Sequence, residues 1–206
     1  MIMGKIFFIL GRSASGKDKL YKELLQDASL GLKRIVLYTT RPIRAGEVDG
    51  ETYHFIDAAK LSELRASGKV IEERTYETVA GPWTYLTADE GICKDENYVI
   101  IGTLESFITI RDYYGVDRVF PIFVRSTEEH LLERALKREK KQEVPNYREL
   151  CRRFLSDAED YAEDKIRKAG ITEEFPNDGS LAEFYGIVKE RIREESRLSE
   201  KNCLYG

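Results

Sequence analysis

The run Gly11-Arg12-Ser13-Ala14-Ser15-Gly16-Lys17 has the residue types and spacing to hold a polyphosphate. Two glycines let the backbone curl closely around a chain of phosphates. Successive N–H groups point into the concavity and meet phosphate oxygens. Lys17 adds a point charge between the outer phosphates, and a helix opening there turns its positive end toward them. The apolar segment Lys5-Ile6-Phe7-Phe8-Ile9-Leu10 comes immediately before, so a short buried strand feeds the loop. That strand–loop–helix setting separates the motif from a tight turn with a solvated lysine. Ser or Thr usually follows the lysine and binds Mg²⁺ through its hydroxyl; here the residue is Asp18. Two readings of Asp18 stand. Its carboxylate is a hard-cation ligand that would keep or tighten metal binding. Equally, it is an acidic residue in a first helical turn that only complements the dipole.

A second anion site is written in residues 39–50, Thr-Thr-Arg-Pro-Ile-Arg-Ala-Gly-Glu-Val-Asp-Gly. Arg41 and Arg44 offer two guanidinium forks, which bind phosphate bidentately where lysine cannot. Pro42 stiffens the loop between them, Glu47 can anchor one arginine, and Tyr53 brings a hydroxyl to the same anion. On two arginines alone, a solvated polar loop is the favoured reading.

The elements that must carry these sites alternate along the chain. Residues 17–26 read as a helix with Leu20, Leu24 and Leu25 on one face, and residues 34–38 as a strand. Short strands follow between residues 52 and 87, with a helix near 58–67. Residues 98–101 and 119–124 are apolar strands, and Pro121 favours an edge position or an interruption. Residues 128–141 form a charged helix with Leu131, Leu132 and Leu136 as its apolar positions. Pro145 breaks it, residues 147–169 make a second long helix, and a last one starts near Ser180. The alternation predicts an α/β fold, a parallel sheet with helices on both faces and its ligands at the carboxyl ends of the strands.

With 206 residues, 42% hydrophobic and 34% charged, the chain suffices for one globular domain with a sizeable core. The net charge of −4 supplies no global basic field for nucleic acid, so anionic ligands must be held by local clusters. No segment is long and apolar enough to span a membrane, and the short N-terminal apolar run is no signal peptide. Cys93, Cys151 and Cys203 fit neither a disulfide framework nor a zinc site, which points to the reducing cytoplasm. His54 sits in an alternating pattern and reads as a packed or surface side chain.

The order Thr-Thr-Arg-Pro-x-Arg-x-Gly-Glu-x-x-Gly-x-x-Tyr-x-Phe over residues 39–55 closely resembles the nucleoside-monophosphate-binding segment of guanylate kinases. The resemblance extends more weakly over nearly the whole chain. It implies a P-loop NTPase three-layer fold with a central parallel sheet, in a single domain over 1–206. The core would be 1–38 and 95–206, a small mixed-β monophosphate-binding subdomain about 39–94, and a helical lid about 138–148. It implies transfer of the γ-phosphoryl of ATP to GMP, with Mg²⁺. Gly11 through Lys17, with Asp18, would hold the ATP phosphates, and Pro176-Asn177-Asp178 resembles the loop cradling adenine. Arg41, Arg44, Glu47 and Tyr53 would hold the acceptor phosphate. Glu72 matches the residue facing guanine, with Tyr85, Thr87 and Thr103 beside it. Arg134, Arg138 and Arg153 would join Lys17 around the transferred phosphoryl as the lid shuts, although each reads also as a salt-bridging residue on a charged helix.

The match frays at the base. Leu37 replaces a Ser that touches guanine in the family, and Ile101-Gly102-Thr103-Leu104-Glu105 replaces an acidic strand end. The lid reads Arg138-Glu139-Lys140-Lys141 where Arg-Gly-Thr is usual. Phosphoryl transfer to a nucleoside monophosphate is therefore a firmer expectation than GMP itself. A non-catalytic binding module and a related P-loop kinase with another phosphorylated acceptor are the competing readings.

Overall fold

The computed structural model describes residues 3–44, 46–78 and 81–204; Ala45 and the side chain of Cys203 lie outside what it describes. In chain order the elements are β1 (Ile6–Leu10), α1 (Lys17–Gln26), β2 (Lys33–Arg34), β3 (Tyr38–Thr39), β4 (His54–Phe55), α2 (Ala58–Ala66), β5 (Val70–Thr78), β6 (Gly81–Ala88), β7 (Tyr98–Ile101), α3 (Leu104–Tyr114), β8 (Val119–Arg125), α4 (Glu128–Glu139), α5 (Tyr147–Asp160), α6 (Glu163–Lys168), β9 (Glu174–Pro176) and α7 (Leu181–Leu204), with a 3₁₀ turn at Ala28–Leu30.

Every residue of β1 is buried because β1 lies mid-sheet, in the order β2-β7-β1-β8-β9, with all pairings parallel. Its side chains alternate between two cores. Ile6, Phe8 and Leu10 pack with Leu104, Phe107 and Ile110 of α3 and with Ile166 of α6. Phe7 and Ile9 pack with Leu20 and Leu24 of α1 and with Phe184, Val188 and Ile192 of α7. The result is the expected three layers, with the glycine run leaving the carboxyl end of the central strand. A second, mixed sheet has the order β4-β3-β6-β5, in which β5 and β6 form a long antiparallel hairpin. Helix α2 backs it through Leu61 and Leu64 against Tyr38, Leu86 and Ala88. His54 stacks on the Tyr38 ring at 4.6 Å, the packing role expected of it.

Four local expectations change. Residues 34–38 are not one strand: Ile35 N–H bonds Val99 O in the first sheet, whereas Leu37 O accepts from His54 N–H in the second. The chain changes sheets at Val36, so neither short piece can be extended. Pro121 lies on a strand paired on both sides, yet without penalty. Arg118 O accepts from Ile6 N–H, and Arg125 O from Asn177 N–H, so Pro121 faces the flank where β9 starts only opposite Phe123. The helix over 147–169 is broken at Tyr161–Ala162. There the Tyr161 ring stacks flat on Phe123 at 5.9 Å, and the chain turns to bring Ile166 and Ala169 into the core. Leu132 is exposed; Leu131 and Ala135 make the buried face of α4.

Candidate functional site

Two glycines of the loop are fixed by close approach as well as by backbone. Gly11 has φ +148°, and a Cβ there would lie 2.4 Å from Val124 O. Gly16 has φ +98°, and a Cβ there would lie 2.3 Å from Asn177 Nδ2. Ala14 also sits at positive φ, 65°, a conformation an alanine adopts only when its surroundings impose it. Gly16 is the N-cap of α1 and offers no side chain, so the amides of the first turn keep their capacity for an external anion.

The loop is braced from behind by the far end of the chain. Asn177 Nδ2 donates to Ser15 O at 2.7 Å in a buried bond. Asn177 O accepts from Ser126 Oγ at 2.9 Å and from Arg134 Nη2 at 2.8 Å, and Arg134 Nη1 donates to Ser126 Oγ at 3.1 Å. Arg134 therefore holds the wall of the cradle. Lys17 Nζ donates to Arg12 O at 3.2 Å. Burial holds its pKa below the usual lysine value, Asp18 and Asp157 oppose that, and Arg138 adds to it. Arg138 is thus within electrostatic reach of Lys17, on the exposed side of the site.

Sequence reasoning missed the other occupant of this loop. The backbone N–H of Ser13 donates to Asp157 Oδ2 of α5, so a carboxylate takes up one amide of the loop. Arg12 reinforces the attachment: it pairs with Glu128 at 2.9 Å, donates to Phe154 O at 3.2 Å and lies over the Phe154 ring at 4.7 Å. Tyr161 is pushed up to about 12 by burial, opposed by the backbone amides of Gly11 and Leu104 at its oxygen. No local pattern announces the contacts of Arg12 and Ser13, because their partners stand more than a hundred residues away.

At the second anion site Arg41 is 3% exposed, and Glu47 grips it through both oxygens, at 2.7 and 3.0 Å. Glu47 also accepts the Arg44 N–H at 2.8 Å, so its pKa falls, chiefly through Arg41. Arg41 lies over Tyr53 and Phe55, its Nε carries no hydrogen bond among the described residues, and Arg44 is exposed over Trp83. Tyr53 meets Tyr85 edge-on at 5.7 Å.

Glu72 Oε1 accepts from Thr87 Oγ1 at 3.0 Å and from Arg74 Nη2 at 3.4 Å. Thr103 caps α3 by accepting the Ser106 N–H at 3.2 Å and also faces Arg74 Nη1 at 3.3 Å. Arg153 sits on the exposed face of α5, bonded to Glu149 at 2.8 Å, and lines a cleft with Arg138 and Ser13.

A cavity of about 790 Å³ runs from Gly11, Ser13, Lys17 and Asp18 to Arg74 and Thr103. That is the size of a ligand site. Its wall residues Arg74, Tyr76 and Ile101 also line a 470 Å³ pocket with Leu37, Tyr53 and Tyr85. The phosphate loop and the tyrosines beside Arg41 thus border neighbouring cavities that share wall residues. Among the described residues no group of three His, Cys, Asp or Glu is arranged for a metal. Mg²⁺ needs no such cage beside phosphates, since one carboxylate plus phosphate oxygens suffices; exposed Asp18 next to Lys17 fits that demand. Among the described residues no helix is long and apolar enough to cross a membrane.

Residues 3–165 match the family model described as guanylate kinase. Among curated relatives, the chain is 39% identical over 70 residues to a guanylate kinase of Chromobacterium violaceum, covering 34% of this chain and 33% of that one. It is 40% identical over 75 residues to one of Nostoc sp., covering 36% and 37%, and 33% identical over 97 residues to one of Aliivibrio fischeri, covering 45% and 47%. The chain thus spans only a third to just under half the length of these relatives. The fold is similar to the crystal structure of guanylate kinase from Anaplasma phagocytophilum, with TM-score 0.63 and 18% identity, over 94% of this chain and 87% of that one.

Proposed function

The chain belongs to the guanylate kinase family, and from that premise we propose that it transfers the γ-phosphoryl of ATP to a nucleoside monophosphate, GMP, giving ADP and GDP. The observation that carries this reading is a pair of adjoining cavities, one lined by Lys17 and the other by Tyr53 and Tyr85 beside Arg41, with Arg74, Tyr76 and Ile101 lining both. Two anionic esters held in these cavities meet head to head. The acceptor is already an ionised phosphate, so alignment and charge neutralisation replace a strong general base.

The loop amides of residues 11–16 and the Lys17 ammonium hold the donor phosphates. Asn177 and Arg134 keep the loop in shape and border the adenine end. Arg41, its charge shared with Glu47, sets a fixed cation for the acceptor phosphate; Arg44, Tyr53 and Tyr85 complete its shell. Glu72, supported by Thr87, and Thr103 face the base. Arg138 and Arg153 close on the transferring group and exclude water. Mg²⁺, held by Asp18 and the phosphates, supplies charge neutralisation when bound. Residues 39–94 act as the acceptor-binding subdomain and about 138–148 as the lid. The exposed free thiols of Cys93 and Cys151 suit the reducing cytoplasm.

The test is ADP production by the purified protein with MgATP and each nucleoside monophosphate in turn. GMP-dependent turnover is expected, abolished by Lys17→Ala and impaired mainly in acceptor KM by Arg41→Ala. ATP binding without turnover on any monophosphate refutes the proposal.

A further inference from the structure

Arg74 stands on the wall shared by the two cavities. It follows Glu72 by two residues on β5, so both side chains leave the same face of the strand. Its bonds to Thr103 Oγ1 and Glu72 Oε1, at 3.3 and 3.4 Å, are long for a guanidinium, and its Nε carries no hydrogen bond among the described residues. The group is loosely held and has donors to spare. Leu37 lines the same pocket with hydrocarbon and offers a ligand no hydrogen bond. Glu72 has Oε1 taken by Thr87 and Arg74, and Oε2 carries no hydrogen bond among the described residues. This end of the cavity therefore presents one cationic donor on its wall, with the largely buried Glu72 carboxylate bonded behind it.

We propose that Arg74 determines acceptor specificity by donating to the 6-oxo group of a 6-oxopurine monophosphate, while Glu72 accepts the neighbouring ring N1–H. The proposal rests on the phosphoryl-transfer reading above and names its substrate class. Arginine is always protonated and can only donate. It matches an oxygen at C6 and opposes an amino group there. In adenine the C6 substituent is a donor and N1 a bare acceptor, so both contacts are lost at once. Turning the base over does not restore them, because the phosphate gripped at Arg41 fixes its orientation. With one carboxylate oxygen already bonded, the 2-amino group adds little. The pocket thus takes GMP and IMP alike and rejects AMP, and it does so without a hydroxyl at position 37.

The experiment measures kcat/KM for GMP, IMP, AMP and 2-aminopurine riboside 5′-monophosphate, which lacks both the oxygen at C6 and the hydrogen at N1. The wild type, Arg74→Leu and Arg74→Lys are compared, with thermal melts to verify folding. The wild type is expected to use IMP within about tenfold of GMP and to disfavour the 2-aminopurine nucleotide by about 100-fold. Arg74→Leu should lower GMP and IMP turnover by about 10–100-fold while leaving the 2-aminopurine nucleotide and the KM for ATP unchanged. Arg74→Lys should recover part of the loss. Equal losses on GMP and the 2-aminopurine nucleotide would mean that Arg74 only supports the wall, and would overturn the assignment, as would wild-type preference for AMP. Absence of turnover with every monophosphate would instead remove the phosphoryl-transfer reading beneath it.

Discussion

Replacing Asp157 by Asn should make the protein bind ATP more tightly. The Asp157 carboxylate accepts the Ser13 N–H, and on the proposed function a triphosphate entering the loop displaces it. A hydrogen bond to a charged acceptor contributes about 1.5–3 kcal/mol and a neutral one about 1 kcal/mol, so the amide gives up about 1 kcal/mol less on leaving. The carboxylate also repels the arriving phosphates. Two unit charges about 5 Å apart at an effective dielectric near 20 repel by about 3 kcal/mol. Salt and water in an open cavity reduce that to about 1 kcal/mol. The two effects act in the same direction and together predict about 2 kcal/mol, or roughly thirtyfold in Kd. The free variant should lose about 1 kcal/mol of stability, a drop in Tm of about 2–4 °C, because α5 is then held to the loop mainly through Arg12. Titration calorimetry with ATP, with and without magnesium, reads the effect directly. A folded Asp157→Asn variant with unchanged or weaker ATP affinity would refute the view that this carboxylate competes with phosphate.

Two further outcomes follow from the same corner of the molecule. Lys17 is held below the ordinary lysine pKa by burial; the unfolded chain binds more protons between the two values, so stability rises as pH climbs through that interval. ATP reverses the sign by favouring the ammonium, so ATP affinity should fall as pH rises through the free-protein value, and Lys17→Arg should flatten that fall in calorimetric titrations. Asp18→Ser should shift the magnesium dependence of activity to higher metal concentration and make it shallower; identical metal curves would leave Asp18 as a dipole partner only.

The parts of the site that were legible in sequence are those built from neighbours in the chain. The Gly11–Lys17 run, its strand and its helix are contiguous, and so is the Arg41–Glu47 fork, whose anchoring glutamate lies six positions on. What escaped depends on tertiary partners. Asp157 lies on a charged helix, yet its partner is a loop amide 144 residues away. Arg134 donates to Ser126 and Asn177, bracing the loop from partners that no helical spacing announces. Arg74 gave no periodic or motif signal, since a charged residue on a strand ordinarily faces solvent. The split of residues 34–38 between two sheets and the break at Tyr161 were invisible for the same reason. Apolar spacing reports that a segment is buried, not which layer buries it.

The buried bond from Asn177 to Ser15, spanning 162 residues, has a consequence for how the molecule is made. A ribosome that has delivered only the first half of this chain has built the central strand and the whole glycine-rich loop, but not the amide that props it open from behind. Such a nascent polypeptide must wait for β9 to add itself alongside β8 before Gly16 meets its lodging. Retention on immobilised nucleotide would then report completion of synthesis, since strongly non-local closure of this kind comes late in folding.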